Sequence, residues 1–337
     1  MIHRNRPVPS ENPLLSSVKS VYCIMTRSRH QKEKNLHYVL LVNPTATNHQ
    51  PKAIDKLTRA IKRRGGYYTV VEPNSAAELL RQAQQVKQLA SSGAGATVVS
   101  RRGEVTALIA CGGDGTFNLT ARGALANDLP VGYLPLGRFN NIARHLYGDN
   151  DTDTAVAKII KGDYKKFDVG TVADQQFFGA VGLGFLPELT NLLADKRTPR
   201  FGIGWSQLAA KAAANVALHK TIIKVDVFRF EVTPIFLSVN LLPYAAGLPF
   251  STASLIDDTQ AEVIFDVRAS MGDFSSFVRS IYKKKYLYGR EIRMFRGRVM
   301  TIQSTKGRTL YLDGELIHLP TNALTITIGE QQVKIFC

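Results

Sequence analysis

The sequence predicts an α/β domain followed by a mainly antiparallel, β-rich domain. First, a chain of 337 residues is too long for one compact core and favours two domains. Second, apolar strand-like runs alternate with helical patterns from residue 37 to residue 147, which is typical of a parallel sheet covered by helices on both faces. Third, alternating strand patterns dominate after about residue 164, where only residues 187–219 and 273–286 have a clear helical pattern.

The elements of the first domain follow one another closely. Tyr38–Val42 is an apolar, β-rich run that Asn43-Pro44 closes, and residues 52–64 show helical spacing. Ser75 is the expected N-cap of the next helix. The predicted strands are 38–42, 67–71, 105–111 and 131–135, and the predicted helices are 52–64, 76–89, 117–126 and 140–146.

The second domain is predicted from short strands, several of which alternate apolar and polar residues. The predicted boundaries are a basic, disordered extension over residues 1–36, an α/β domain over 37–164 and a β-rich domain over 165–337, whose last residues could return to pack on the first domain. For the extension, a solvated tail is favoured over a membrane contact. The predicted strands are 167–172, 176–181, 222–232, 235–240, 261–267, 298–304, 309–312 and 324–328.

The composition excludes several protein classes. Hydrophobic residues make up 45% of the chain and charged residues 21%, which argues against a disordered chain, a coiled coil or a collagen-like fibre. No apolar run approaches the ~18 residues of a spanning helix. Three widely spaced cysteines predict neither a zinc site nor a disulfide framework and favour a reducing compartment. The net charge of +16 favours a polyanionic partner such as nucleic acid, anionic lipid or a phosphorylated ligand.

The strongest local motif is a glycine-rich loop between a predicted strand and a predicted helix. An apolar strand runs directly into Gly112-Gly113-Asp114-Gly115-Thr116. Such a loop lets backbone N–H groups approach a phosphate closely, and the helix adds its positive dipole end. The acid in the loop then suits a phosphate-associated Mg²⁺ or a ribose hydroxyl. The spacing equally allows a plain glycine turn in which Asp114 caps the helix. The loop matches neither the P-loop nor the GxGxxG fingerprint.

Two further loops are expected near the glycine loop. Asn43-Pro44 and the 137–141 segment also follow predicted parallel strands, so all three loops lie at one sheet edge and can form a crevice. A more distant motif, Asp313-Gly314-Glu315, stands between two predicted strands. Taken alone, it favours a hairpin turn.

Together these features resemble the diacylglycerol kinase catalytic-domain superfamily, which includes bacterial lipid kinases and sphingosine and ceramide kinases. The resemblance runs from about residue 37 to residue 335. It rests on five ordered motifs, which are Asn43-Pro44, Gly112–Thr116, Leu134–Arg144, Phe167–Gly170 with Phe177-Phe178, and Asp313–Glu315.

The resemblance implies a Rossmann-like nucleotide-binding domain, a β-sandwich domain and an active site in the cleft between them. It implies ATP and Mg²⁺ as cofactors, with the metal ligands left unassigned. Asp313 is implied as the general base and Asp114 as the acid of the nucleotide and metal network. The other implied site residues are Asn43, Gly112, Gly113, Gly115, Thr116, Gly137, Arg138, Asn140 and Glu315.

The sequence departs from the family pattern near the expected phosphate site. Leu119 replaces a usual Glu, Arg138 a usual Thr and Asn141 a usual Asp, and the first loop reads Thr45-Ala46-Thr47 after Asn43-Pro44. Arg138 can pair with a phosphate directly. The missing acids can instead weaken Mg²⁺ binding. Two interpretations follow: an active kinase, and a catalytically degenerate relative that binds nucleotide or lipid without efficient phosphoryl transfer.

The resemblance also implies a lipid alcohol as acceptor, such as diacylglycerol or a sphingoid base. Ceramide, phosphatidylglycerol and a non-lipid alcohol are alternative acceptors that the sequence does not exclude. The segment Lys283–Arg298 mixes seven basic residues with aromatic ones, which suits an anionic membrane surface or, alternatively, a solvated strand edge. A cytoplasmic, peripherally membrane-associated protein is expected. Nucleic acid is not an expected partner, because it explains only the net charge. The sequence does not determine the oligomeric state, and a homodimer is among the states it allows.

Overall fold

The computed structural model describes residues 36–93, 95–99, 104–194, 203–249, 251, 257–267 and 292–337. Nearly all of the basic extension, the predicted helix 273–286 and residues 283–291 of the basic and aromatic segment lie outside the described residues.

The first half of the fold is an α/β unit built on buried parallel strands. The strand order is β5-β4-β1-β2, and the short β3 pairs with β2 in the antiparallel direction. The strands β1 and β4 are buried along their whole length, which explains their uninterrupted apolar sequence. The elements are β1 His37–Val42, α1 Pro51–Arg63, β2 Tyr67–Val71, α2 Ala76–Gln84, α3 Val86–Ser92, β3 Val98–Val99, β4 Ala107–Gly112, α4 Asp114–Ala126, β5 Val131–Pro135, α5 Asn141–Tyr147 and α6 Thr152–Lys161.

In its described residues, the second half is a sandwich of mainly antiparallel strands with two helices. Its elements are β6 Tyr164–Val172, β7 Gln175–Phe177, β8 Ala180–Gly184, α7 Phe185–Leu193, α8 Ile203–Ala214, β9 Thr221–Val225, β10 Phe228–Val232, β11 Phe236–Asn240, β12 Tyr244–Ala245, β13 Leu248–Pro249, β14 Ala261–Asp266, β15 Ile292–Gly297, β16 Val299–Gln303, β17 Thr309–Leu312, β18 Glu315–His318 and β19 Ala323–Phe336.

Two sheets face each other in this half. Among the described residues, one sheet has the order β15-β14-β11-β8-β17-β18, and the other contains β10-β9-β16-β19 together with β6 and β7. An apolar core fills the space between the two sheets, with Phe177, Phe265 and Ile326 among its members. The opposite face of the first of these sheets packs against α7, α8 and the β12–β13 hairpin. The predicted combination of an α/β domain and a β-sandwich is confirmed.

The final strand, β19, links the two halves. It pairs with β16 and β6 in the antiparallel direction, with a bulge between Ile328 and Gln331, and its end at Ile335 pairs in parallel with Val131 of β5. The large sheet therefore continues from the α/β half into the sandwich.

Several predicted elements differ from the structure. The predicted helix 76–89 is broken at Gln85, whose backbone leaves the helical conformation between α2 and α3. The predicted strand 222–232 is a hairpin, because Asp226 adopts a positive φ of 48° and reverses the chain. The predicted strand 176–181 is interrupted because the N–H groups of residues 178–180 bind the carboxylate of Asp313, in the turn after β17. The sequence analysis missed α6, β3, β15 and the β12–β13 hairpin.

Candidate active site

Three loops meet at the carboxyl edge of the parallel sheet, since β1, β4 and β5 are adjacent strands. Asn48, in the loop after β1, joins this loop to the one after β5. Its backbone N–H donates to Leu136 O at 2.9 Å, and its side-chain amide donates to Gly137 O at 2.6 Å. Two of the three loops expected at this edge of the sheet are therefore bonded directly to each other.

The glycine loop packs backbone to backbone against the loop after β5. A methyl group on Gly112 would lie 2.3 Å from Thr116 Oγ1, and one on Gly137 would lie 2.3 Å from Gly113 Cα. No larger residue fits at Gly137 without moving one of these loops, and none fits at Gly112 without moving the side chain of Thr116. Asn43 supports the same region, since its Nδ2 lies 3.4 Å from Thr116 Oγ1.

Helix α4 begins directly at the glycine loop, and no side chain of the described residues caps its N-terminus. The first N–H groups of this 13-residue helix therefore lack partners within it. Within 4 Å, a methyl group on Gly115 would meet only Glu315 Oε1, at 3.9 Å, among the described residues. An open space at an uncapped helix N-terminus suits an anionic group such as phosphate.

Asp114 does not cap its own helix but binds the start of α5. Its Oδ2 accepts from the backbone N–H and the side-chain amide of Asn141 at 3.0 and 3.1 Å, and its Oδ1 accepts from the N–H of Ile142 at 3.2 Å. Burial raises the pKa of Asp114 to about 6, although the N–H groups of Asn141 and Ile142 lower it. The carboxylate of Asp114 thus holds the second and third loops together.

The other two predicted residues of the third loop are also held by the protein. Asn140 is buried, and its Oδ1 accepts from the N–H of Gly137 at 2.8 Å and from Tyr133 OH at 3.0 Å. Arg138 donates from Nη1 to Leu193 O at 2.5 Å, at the last residue of α7. A cation is favourable at a helix C-terminus. The guanidinium of Arg138 therefore binds the C-terminal end of α7.

Asp313 occupies the turn between β17 and β18, where φ is positive at both Asp313 and Gly314. The predicted hairpin turn is confirmed. The Asp313 carboxylate accepts four hydrogen bonds and is 5% exposed. The donors are Phe178 N at 2.7 Å, Gly179 N at 2.9 Å, Ala180 N at 2.8 Å and Asn118 Nδ2 at 2.8 Å.

The bond between Asn118 and Asp313 joins the two halves of the fold. Asn118 lies on α4, one turn beyond the glycine loop, and Asp313 lies 195 residues further along the chain. Burial raises the pKa of Asp313, while its N–H donors lower it, and the charge of Asp313 in turn raises the pKa of Asp114. The two acids singled out from the sequence therefore lie in one electrostatic environment.

Glu315 and Arg122 lie beside the buried Asp313 and are more exposed to solvent than it is. None of the hydrogen bonds among the described residues involves the Glu315 carboxylate. Partial burial raises the pKa of Glu315, the Arg122 guanidinium lowers it, and the Asp313 charge raises it. Arg122 donates from Nη2 to Gln176 O at 2.9 Å. Glu315 is thus the acid whose oxygens stay available beside Gly115.

The unusual residues at positions 119 and 141 have clear structural roles. Leu119 is 8% exposed and belongs to the apolar core of the α/β half, so no carboxylate occupies this position. The amide of Asn141 donates to Asp114 and accepts from Gly247 N at 3.1 Å, which links the third loop to the β12–β13 hairpin. An aspartate at position 141 could not donate to Asp114 and would place two acids in contact.

The sequence analysis did not single out Asn118, Arg122 or the N–H groups of residues 178–180 as site residues. The sequence did contain a signal for the first two. Asn118 and Arg122 are four residues apart in a predicted helix, so they lie on the same face of α4. The N–H groups of residues 178–180 carry no such signal, because any side chain is compatible with a backbone donor.

The carboxylates present fit a nucleotide-borne Mg²⁺ better than a metal held by the protein alone. Across the described ranges, no group of three or more His, Cys, Asp or Glu side chains could hold a metal ion. Asp313 and Asp114 are engaged by N–H donors, which leaves Glu315 as the most available ligand. Mg²⁺ commonly uses one or two carboxylates together with substrate phosphates and waters, and such a donor set is compatible with this site.

Comparisons with known proteins agree with this geometry. Residues 37–172 match the family model of the diacylglycerol kinase catalytic domain. The chain is 24% identical over 243 residues to a diacylglycerol kinase of Staphylococcus epidermidis, covering 69% of this chain and 74% of the relative. It is also 24% identical over 217 residues to the diacylglycerol kinase of Bacillus subtilis, covering 63% of this chain and 72% of the relative.

The fold is similar to solved structures as well. A crystal structure of a diacylglycerol kinase from Bacillus anthracis covers 90% of this chain and 98% of that protein, with a TM-score of 0.64 and 17% identity. A second crystal structure from the same organism gives a TM-score of 0.70 at 19% identity and covers 89% of this chain and 96% of that protein. These similarities extend over the sandwich half, which lies mostly beyond the residues matched by the family model.

Proposed function

Because the chain belongs to the diacylglycerol kinase catalytic-domain superfamily, we propose that it is an ATP-dependent lipid kinase. It would transfer the γ-phosphoryl group of ATP to a hydroxyl of a lipid acceptor such as diacylglycerol or a sphingoid base. The observation that carries this proposal is the 2.8 Å bond between Asn118 and Asp313, which places an acidic turn beside the helix that begins at the glycine loop. Phosphoryl transfer to an alcohol needs an anion site and a nearby proton acceptor.

In this proposal the N-terminus of α4 and the N–H groups near Gly115 bind the nucleotide phosphates. The tight packing at Gly112 and Gly137 keeps the loop backbone in place, and Asn43, Thr116 and Asn140 support that backbone. Glu315 would hold Mg²⁺ together with the phosphates, and the ion would offset their negative charge when it is bound. Arg122 balances the charge of Glu315 from the other side.

Asp313 is the proposed proton acceptor, and its surroundings set a condition on this role. Two N–H donors lie on each of its oxygens, so the lone pairs of both oxygens are engaged. One donor must move away before the carboxylate can accept a proton from an alcohol. Asn118 is the donor best suited to do so, since it is a side chain and belongs to the other half of the fold. A small closing or opening movement would therefore expose Asp313.

The test of the function is transfer of labelled phosphate from ATP, with Mg²⁺ present, to a panel of lipid alcohols. We expect measurable turnover with at least one acceptor. Nucleotide binding without transfer to any lipid would instead support the catalytically degenerate relative, for which the engaged lone pairs of Asp313 and the apolar Leu119 would be the structural reasons.

A membrane-facing surface is proposed at the tip of the β9–β10 hairpin. Val227 is 84% exposed and Phe228 56% exposed, and the neighbouring Val299 is 42% exposed. Asp226 fixes this arrangement, because its carboxylate accepts from the N–H groups of Arg298 and Val299. Exposed apolar side chains beside arginines suit an anionic lipid surface. No helix among the described residues is long and apolar enough to cross a membrane.

Replacing Val227 by aspartate is expected to weaken binding to anionic vesicles roughly fivefold or more, because an adverse charge near such a surface costs about 1 kcal/mol and an apolar contact is lost. Sedimentation with phosphatidylglycerol vesicles measures the effect. Val98→Asp is the matched control, since Val98 is also exposed but lies on β3 in the α/β half. Equal losses for both variants would remove the hairpin tip from consideration.

A further inference from the structure

A row of aligned residues crosses the small sheet next to Asp313. Asn240 of β11 is opposite Ala180 of β8 on one side and Glu262 of β14 on the other. Ala180 exchanges hydrogen bonds with Asp313, since Ala180 N donates to Asp313 Oδ1 and Asp313 N donates to Ala180 O. Because neighbouring strands are about 4.8 Å apart, Asn240 and Glu262 lie about 5 and 10 Å from Ala180 along this row.

The polar side chains of the row share one face of the sheet. Residues directly opposite each other point to the same side, and Ser238, two residues before Asn240, does so too. Ala180 belongs to the core that contains α7, α8 and the β12–β13 hairpin, whereas Val239 and Val263 belong to the core on the opposite face. Asn240 and Glu262 therefore lie on the side of the sheet that carries the helices.

The hydrogen bonds of this group are incomplete. Asn240 Nδ2 donates to Ser238 Oγ at 2.5 Å, and Glu262 Oε2 accepts from the Ser251 hydroxyl. Within the part of the chain that the structure describes, Asn240 Oδ1 and Glu262 Oε1 have no partner, although the two residues are 0% and 1% exposed. An unpaired buried acceptor is costly, and more so on a carboxylate.

The type of the missing partner follows from the atoms. Both unpaired atoms are acceptors, so the partner offers a hydrogen-bond donor or a positive charge, and an ionised phosphate or carboxylate group does not fit. No arginine fills this role from the neighbouring strand, because Arg296, opposite Glu262 on β15, directs its guanidinium to Asp258.

We propose that Ser238, Asn240, Ser251 and Glu262 form a binding site for the polar head of the acceptor. The site, here called the acceptor-head pocket, is closed in this structure, since its four side chains are at most 3% exposed. When open, it takes hydroxyl or ammonium donors that lie several bonds from the hydroxyl to be phosphorylated. The span of about 5–10 Å along the row favours a polyhydroxylated head over a single amine. This inference rests on the proposed function for the identity of the ligand as the acceptor.

Three lipid probes with different polar heads test the pocket. Dioctanoylglycerol offers one hydroxyl, sphinganine adds an amine and a second hydroxyl, and monogalactosyl dioctanoylglycerol carries a polyol head. Binding is measured without nucleotide through the fluorescence of Trp205, the only tryptophan in the sequence, which is buried in the core on the helix side of the sheet. We expect the galactosyl probe to bind most tightly and dioctanoylglycerol most weakly.

Glu262→Gln is expected to weaken binding of the galactosyl probe at least tenfold and to leave dioctanoylglycerol binding within twofold. The glutamine oxygen can still accept from the Ser251 hydroxyl. Its NH₂ group then takes the position of the unpaired Oε1, where the pocket needs an acceptor. The unliganded variant should melt no lower than the wild type, since an unpaired carboxylate oxygen has been removed. Glu231→Gln, at an exposed glutamate paired with Lys220, is the matched control and should change neither measurement.

Other results would overturn the proposal. Equal binding of all three probes to wild type and Glu262→Gln would mean that the two oxygens bind internal water or a resident cation. A large drop in melting temperature with unchanged probe preference would make Glu262 a structural residue. If Glu262→Gln did not fold, Ser251→Ala would be measured in its place, with loss of the preference for the galactosyl probe as the expected result. Binding without any phosphoryl transfer would contradict the proposed function and leave the pocket supported.

Discussion

Replacing Asp313 by asparagine is expected to lower the turnover number for phosphoryl transfer by about 10²- to 10⁴-fold, the usual contribution of a general base. The asparagine cannot accept a proton from the alcohol, and its NH₂ group would face N–H donors that now bind a carboxylate oxygen. The latter conflict also lowers the free energy of unfolding, by about 1–3 kcal/mol. Steady-state kinetics and urea unfolding on the same preparations measure the two effects.

A second buried aspartate separates catalysis from stability. Asp266 is 4% exposed and accepts from Ile235 N at 3.1 Å and Phe236 N at 2.7 Å, so Asp266→Asn creates a similar conflict. We expect this variant to be destabilised to a comparable degree while keeping its turnover number within about threefold of wild type. If Asp266→Asn lost as much activity as Asp313→Asn, the effect of Asp313 would be structural.

Glu315→Gln completes this set of variants, because Glu315 is the neighbouring acid whose oxygens accept no hydrogen bond from any described residue. With Asp313 as the base and Glu315 as a ligand of the nucleotide-borne ion, Glu315→Gln should raise the Mg²⁺ concentration needed for half-maximal activity. Asp313→Asn should leave that concentration unchanged. A near-normal Asp313→Asn variant together with an inactive Glu315→Gln variant would make Glu315 the proton acceptor.

The order of the main elements was predictable wherever local pattern decides the structure. Continuous apolar runs such as residues 38–42 and 107–111 became fully buried parallel strands. Prediction failed where tertiary contacts override local pattern. Residues 176–181 are apolar and β-rich, yet their chain turns so that three successive N–H groups reach Asp313. The pairing of β19 with strands of both halves is likewise set by contacts between residues far apart in sequence.

In the candidate site, too, the motifs were predictable from the sequence and the side-chain contacts were not. Motif spacing led to the glycine loop and to the acidic turn, and the structure brings them together through Asn118. The partners of individual side chains were not predictable. Asp114 binds the start of α5, and Arg138 donates to the end of α7, because these helices pack beside the loops in three dimensions. Sequence position locates a polar residue near a site, but the packed elements decide which atom it meets.

Contacts with packed elements also explain the unusual charges near the loops. Compared with the family pattern that the resemblance implies, the sequence lacks two acids, at positions 119 and 141, and has an additional base at Arg138. Position 119 faces the apolar core, and Asn141 donates to Asp114 and accepts from Gly247. Arg138 reaches a helix C-terminus, where a cation is favourable. Each change is therefore accommodated by a local contact, and none of them blocks the open space beside Gly115.

Two glycine-to-alanine variants then separate the framework of the loops from the phosphate site. Gly137→Ala is expected to lower the free energy of unfolding by about 3 kcal/mol, because its methyl group would lie 2.3 Å from Gly113 Cα and 2.7 Å from Asn140 Oδ1. Backbone atoms on the opposite side cannot move without separating the two loops. ATP binding should be lost together with this stability.

Gly115→Ala should behave in the opposite way. Its methyl group has open space except for Glu315 Oε1 at 3.9 Å, and alanine in the first turn of α4 should keep or slightly raise stability, by up to about 1 kcal/mol. The same methyl group occupies the space where a phosphate would approach the helix N-terminus, so the KM for ATP should rise about tenfold or more. An unchanged KM in a stable Gly115→Ala protein would show that the phosphates bind elsewhere, because no fold defect could then hide a contact at this position.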